Sequence, residues 1–167
     1  MRYLLLLCLL FPAASVAQEQ RIGFVAGSTH GVGLGYSQQY KNGKGWQVSL
    51  LPIVEDDLDA TVFMGGTLFQ TLNSTTWGRA YWSLGVAAFY IRSTEERWDD
   101  DYENLEPIGL DEGVMLSFGP GVGLERRWKQ FAVALELPLA VQIGYRNHEL
   151  DFLGLHPIPN FSLMYFW

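Results

Sequence analysis

Three groups of residues in this chain are of types that could do chemistry. Ser28 and His30 lie two apart, and Glu55 and Asp56 follow in a later loop. Serine, imidazole and carboxylate are the parts of a hydrolase triad, in which the base takes the hydroxyl proton and the carboxylate orients the base. Spacing alone does not make one, since a triad is defined by geometry. The bland reading is two rim residues of a loop. Asp99-x-Asp101-x-Glu103 offers oxygen ligands at alternate positions to a hard cation, but the glycine and closing glutamate of a calcium loop are missing. His148 and His156 lack the spacing that puts two imidazoles on one helix face. Nothing in the chain calls for a cofactor.

The third group is larger: Arg21, Arg79, Glu125, Arg127, Glu136 and Gln142. They matter because of the elements that carry them. Helical periodicity is almost absent, and apolar residues recur at alternate positions, as in strands exposed to different surroundings on their two faces. Ile22 and Phe24 share a parity, then Val32, Leu34, Tyr36 and Tyr40, and after an Asn42-Gly43 turn, Trp46, Val48, Leu50, Pro52 and Val54. Val62, Met64 and Leu68 mark a fourth strand, less cleanly because Phe63 and Phe69 fall on the other parity. Ala80 to Tyr90 and Val114 to Leu124 repeat the alternation. The cleanest run is Phe131, Val133, Leu135, Leu137, Leu139, Val141, Ile143 and Tyr145. Asn160 to Trp167 closes the series.

Eight strands without an intervening helix predict an all-β, up-and-down antiparallel barrel. Connections after strands two, four and six read as short; those after three, five and seven read as longer, with the last loop running from Asn147 to Pro157. The first connection, at Ser28-Thr29, is brief.

Composition decides which face is inside. The non-apolar parity is mostly Gly, Ser, Ala and Thr, a poor solvent surface but a good lining for a narrow eight-stranded barrel. The bulky parity is nearly free of charge and suits hydrocarbon, which a tilted strand of about 9–11 residues can cross. Tyr40, Trp46, Trp77, Trp128, Phe131 and Trp167 gather at the short-turn rim, as an interfacial girdle does. These features favour a transmembrane barrel over a soluble, lipocalin-like binding barrel, whose interior would be the apolar side. The third group then points inward. Buried charges must be paired, so it predicts a polar network filling the lumen, with an ion path as the competing reading.

The remaining residues agree. Arg2, the apolar stretch from Tyr3 to Phe11 and Ser15-Val16-Ala17 read as a signal peptide over 1–17, leaving 18–167 as the barrel domain. Cys8, the only cysteine, lies in that leader, so disulfides and thiolate chemistry are not expected of the barrel. The net charge of −7 argues against nucleic acid as a partner. Pro120 and Pro138 fall at nearly one depth on adjacent strands, each removing a ladder donor; a lateral lipid opening or a tolerated bulge would follow.

Taken together, these residues resemble the small eight-stranded outer-membrane barrels of Gram-negative bacteria, of the OmpA-transmembrane-domain and OmpX kind. The resemblance is architectural and spans the whole domain. Its most specific motif is the closing assembly signal, which Asn160, Tyr165 and Trp167 match, with Ser162 where that family prefers glycine. The resemblance implies short turns in the periplasm, longer loops outside, outer-membrane lipid and lipopolysaccharide as surroundings, and the barrel assembly machinery as a transient partner. The segment 93–112 carries nine carboxylates against Arg97 alone, a candidate recognition surface for an extracellular partner. The expected function is structural or interactive in the cell envelope. A lipid-modifying barrel enzyme acting on lipid A acyl chains, using Ser28 and His30, is the alternative.

Overall fold

A computed structural model of the chain describes residues 19–54, 59–97, 106–146, 149–155 and 157–167. Strands β1 (Glu19–Gly27), β2 (Gly31–Gln39), β3 (Lys44–Val54), β4 (Ala60–Thr75), β5 (Gly78–Arg97), β6 (Glu106–Trp128), β7 (Phe131–Pro138), β8 (Val141–Arg146), β9 (Glu149–Leu155) and β10 (Asn160–Phe166) make up the fold. Each strand from β1 to β6 pairs antiparallel with its successor. β7 then pairs with β10, and β10 with β1, which closes the ring. β8 continues β7 along β6, and β9 pairs with β8. The barrel therefore has eight staves, the last two each built from two strands. Closure joins Arg21 to Phe166 and Ala26 to Phe161, pairing the last stave with the first as the sequence predicts.

Alternation along the staves separates two surfaces. On β7 Phe131, Leu135 and Leu137 are exposed, and Ala132, Ala134 and Glu136 are buried. Leu34, Val48, Leu68, Leu84, Val122, Leu124 and Leu163 continue the exposed apolar belt around the barrel. Ser37, Ser49, Thr67, Ser83, Ser117, Gln142 and Ser162 face the lumen. Apolar outside and polar inside is the predicted arrangement.

Turns at the short rim follow from local chemistry. Gly43 takes φ 78°, a left-handed conformation that glycine adopts without strain, and the Asn42 side chain accepts the Lys44 N–H at 3.1 Å. The girdle aromatics lie at this rim. Trp46 meets Tyr36 edge to face at 5.6 Å, and Phe131 meets Tyr165 at 5.4 Å. Arg126 stacks its guanidinium over Trp77 at 4.5 Å.

Three expectations need correcting at the far rim. The run from Asn147 to Pro157 is not one loop: β9 occupies 149–155 and pairs with β8 through Arg146 and Glu149, so the seventh connection is short. Phe152, Leu153 and Leu155 supply the strand alternation there. The seventh strand is interrupted at Leu139 and Ala140, after Pro138, which has no N–H to continue the ladder. Much of the acidic segment 93–112 is strand as well: β5 runs to Arg97 and β6 starts at Glu106, so only its central part is left between them.

Candidate functional site

The lumen is built in three layers, read upward from the short-turn rim. In the lowest, β6 presents Glu125 to three guanidinium groups. Arg21 Nη1 donates to Glu125 Oε2 at 2.5 Å, Arg79 Nη2 to the same oxygen at 2.8 Å, and Arg127 Nε to Oε1 at 2.8 Å. Glu19 shares the load, bonding Arg21 and, at 3.2 Å, Arg127. Gln39 Oε1 accepts from both Arg21 and Arg127. The arginines also lie against aromatic faces: Arg79 over Phe69 at 4.6 Å and Tyr81 at 5.2 Å, Arg21 over Phe166 at 5.9 Å. A planar, weakly hydrated guanidinium suits a position flanked by carboxylate and ring.

The middle layer is a clamp. Connection 28–30 between β1 and β2 does not stand at the outer rim; it folds into the barrel, and Ser28, Thr29 and His30 are all buried. Glu136, 1 % exposed, accepts Asn160 Nδ2 at 2.7 Å and lies 3.2 Å from His30 Nε2. Asn160 in turn bonds Thr29 Oγ1 at 2.6 Å and accepts the Thr29 N–H at 3.2 Å. Two wall glycines make room for the hairpin tip. A Cβ on Gly65 would sit 2.0 Å from the His30 carbonyl oxygen, and one on Gly85 would sit 2.7 Å from that of Thr29. Gly31 reaches across with φ 68°, against the Met64 backbone. Below the tip is a space of about 20 Å³, bounded by His30, Gln47, Thr67, Tyr81 and Arg79, room for about one water.

The third layer, above the tip, is a chamber of about 340 Å³. Gly27, Ser28, Gly31 and Val32 form its floor, and Phe63, Ala87, Phe89, Met115 and Ile158 are among its walls. Phe63 and Phe89 stack with centroids 4.7 Å apart.

The predicted network residues fall into separate parts. Arg21, Arg79, Glu125 and Arg127 share the lowest layer. Glu136 belongs to the clamp, and Gln142, opposite Ser117, lines the chamber. Ser28 and His30 are not partners: the Ser28 hydroxyl donates to the Ile158 carbonyl at 3.0 Å, and His30 turns to Glu136. Their expected place at the rim is corrected because a hairpin this short cannot follow its longer neighbours and bends inward. Glu55 and Asp56 lie outside the described residues, as do Asp99, Asp101, Glu103, His148 and His156. At the proline pair, Leu139 N–H donates to the Pro120 carbonyl at 2.8 Å, and a Cβ on Gly119 would sit 2.0 Å from the Leu139 oxygen. A cross-strand bond thus bridges the interruption. Of the closing motif, Asn160 and Ser162 face the lumen and Tyr165 and Trp167 face out.

Sequence reading missed the Asn160 clamp, together with the parts played by Glu19 and Gln39. The available signal was Gly65 and Gly85, inward glycines at the depth that a brief first connection could reach.

This geometry defines a class: a closed, eight-stranded antiparallel barrel with an apolar exterior and a packed, charge-paired lumen. Comparisons of the chain with family models, with curated proteins and with solved structures found no match.

Proposed function

We propose that this chain is an integral outer-membrane barrel of the OmpA-transmembrane-domain and OmpX kind, anchoring and presenting a surface rather than conducting. The observation that carries the reading is the inversion of a soluble protein's sidedness. Large apolar side chains stand exposed on every stave, while Arg21, Arg79, Glu125 and Glu136 are buried in the lumen. Hydrocarbon satisfies such an exterior, and a closed sheet leaves no backbone edge where the ring is complete. Outer-membrane lipid and lipopolysaccharide are then the surroundings, and the aromatic short-turn rim marks the periplasmic interface.

The plugged lumen favours a structural role. Three guanidinium groups on one carboxylate and the clamped hairpin tip fill the lumen at two levels with a space of only about 20 Å³ between them, an arrangement that opposes the passage of a hydrated ion. The β5–β6 hairpin carries 93–97 and 106–112 of the acidic segment away from the short-turn rim, and the segment 93–112 serves as the recognition surface for an extracellular partner.

Membrane fractionation tests the reading. The protein is expected in the outer-membrane fraction, to require detergent for extraction, and to migrate differently on gels before and after boiling. In a planar bilayer it is expected to stay silent. Recovery as a soluble protein without detergent would overturn the membrane reading, and a steady ion-selective current would overturn the plug.

A further inference from the structure

We infer that the upper lumen is a binding chamber for an acyl chain of a membrane lipid, admitted sideways between β3 and β9. The inference rests on the membrane reading above and adds to it a site, a ligand class and a door.

The door follows from the shortened first hairpin. β1 and β2 stop at Gly27 and Gly31 and bend inward, so the upper part of the wall is made of the other six staves. Pairing of β2 with β3 begins at Leu34 and Leu50, leaving 51–54 of β3 joined only to β4. On the other side β9 is joined only to β8. Among the described residues, no sheet pairing bridges these two edges. Two missing strands leave a gap of roughly 10 Å at ordinary strand spacing. This opening lies between other staves than the proline pair.

The lining changes character at the level of the door. Lower down, inward positions are Ser, Thr, Gln, Gly or paired charges. One ring higher, the register aligns Leu51 with Phe63, Phe63 with Phe89, Phe89 with Met115, Met115 with Gly144 and Gly144 with Phe152. That inward ring is wholly apolar. A second cavity of about 400 Å³ shares Phe89 and Met115 with the chamber and continues past Ile91, Gly113 and Phe152 up to Arg146. Ligand sites generally occupy about 300–1,000 Å³, and each cavity alone reaches that range.

The occupant is set by what borders the door. Val54, Leu153, Leu155 and Ile158 flank it as exposed apolar side chains, continuous with the outer belt. An acyl chain entering at the level of Leu153 and Leu155 therefore leaves one apolar surface for another, and the Arg146 and Glu149 pair stands above it at the top of β8 and β9. Its far end stops on the hairpin tip, which the Glu136 and Asn160 clamp holds in place. An acyl chain gains far less by leaving bilayer hydrocarbon for an apolar chamber than by leaving water. Exchange with the bulk lipid is accordingly expected to be easy.

Three methionines give built-in probes: Met64 on the outer belt, 47 % exposed; Met115 in the chamber wall, 36 % exposed; and Met164 in the lower lumen, 3 % exposed. The full chain, deuterated except for methionine methyl groups, is placed in nanodiscs of palmitoyl-oleoyl phosphatidylcholine. Nuclear Overhauser contacts from each methyl group to acyl-chain methylenes are then measured. The expected result is contact at Met64 and Met115 and none at Met164. In an Ala87→Leu variant, which fills the chamber beside Met115, the Met115 contacts are expected to fall at least twofold while those of Met64 stay. Contact at Met64 with Met115 seeing only water or protein protons would overturn the chamber and leave the membrane reading standing. Met115 contacts unchanged in the Ala87→Leu variant would overturn it too. Absence of lipid contact at Met64 would instead overturn the membrane reading.

Discussion

Asn160 and Glu136 face one another across β10 and β7, their side chains joined by a 2.7 Å hydrogen bond that is sealed from solvent. Through it the last stave holds the tip of the first hairpin, since Asn160 also bonds Thr29 by both its amide nitrogen and its oxygen. One pair of residues thus fixes both the closure of the barrel and the floor of its upper chamber. Removing a member leaves buried polar atoms without partners, which costs more than the bond contributes.

Glu136→Gln keeps the acceptor used by Asn160 and loses the carboxylate oxygen facing His30. The expected outcome is a loss of about 1–2 kcal/mol of barrel stability, with unchanged bilayer conductance. Urea unfolding in detergent micelles measures the first and planar-bilayer recording the second. A large selective current that responds to this substitution would sink the plug reading.

Glu125→Gln leaves Arg21 and Arg127 with only Glu19 as a carboxylate partner and takes from Arg79 the carboxylate it pairs with. Breaking a buried ion pair by removing one member costs about 3–5 kcal/mol, so this variant is expected to lose much of its heat-modifiable folded form. Pairing it with Arg79→Gln removes one of the stranded charges. The double variant is expected to be more stable than Glu125→Gln alone, and additive losses in a double-mutant cycle would refute the cluster's coupling.

Gly65 and Gly66 are adjacent and make opposite predictions. A methyl group on Gly65 meets the His30 carbonyl oxygen at 2.0 Å, whereas one on Gly66 meets nothing within 4 Å. Gly65→Ala is expected to displace the hairpin tip and cost about 1–3 kcal/mol. Gly66→Ala is expected to be neutral or to stabilise by about 0.4–1 kcal/mol, by restricting the unfolded chain. Equal midpoints for the two variants would show that the tip does not seat on β4.

Ser28→Ala tests the enzyme alternative. The Ser28 hydroxyl is engaged with the Ile158 carbonyl and shares no hydrogen bond with His30. Mass spectrometry of lipid A from cells with and without the protein is expected to give the same profile. A mass change that appears with the protein and disappears in Ser28→Ala would establish acyl chemistry at this hairpin.

The sequence by itself determined the sheet and its sidedness. Strand parity is a local property, so Phe131, Leu135 and Leu137 against Ala132, Ala134 and Glu136 already sort the two faces before any partner strand is known. Asn42-Gly43 set a turn by backbone preference alone, and the brief break at Ser28-Thr29 was visible as a length. Tertiary structure alone decided where that brief connection goes. It lies within the ring of wall glycines because neighbouring staves outreach β1 and β2, and only the assembled barrel brings Gly65, Gly85, Glu136 and Asn160 around its tip. The off-parity Phe63 read as an imperfection of the fourth strand. In the closed barrel it joins Leu51, Phe89, Met115 and Phe152 in one apolar ring. Residues so far apart in the chain become neighbours only through cross-strand register, which no single strand encodes.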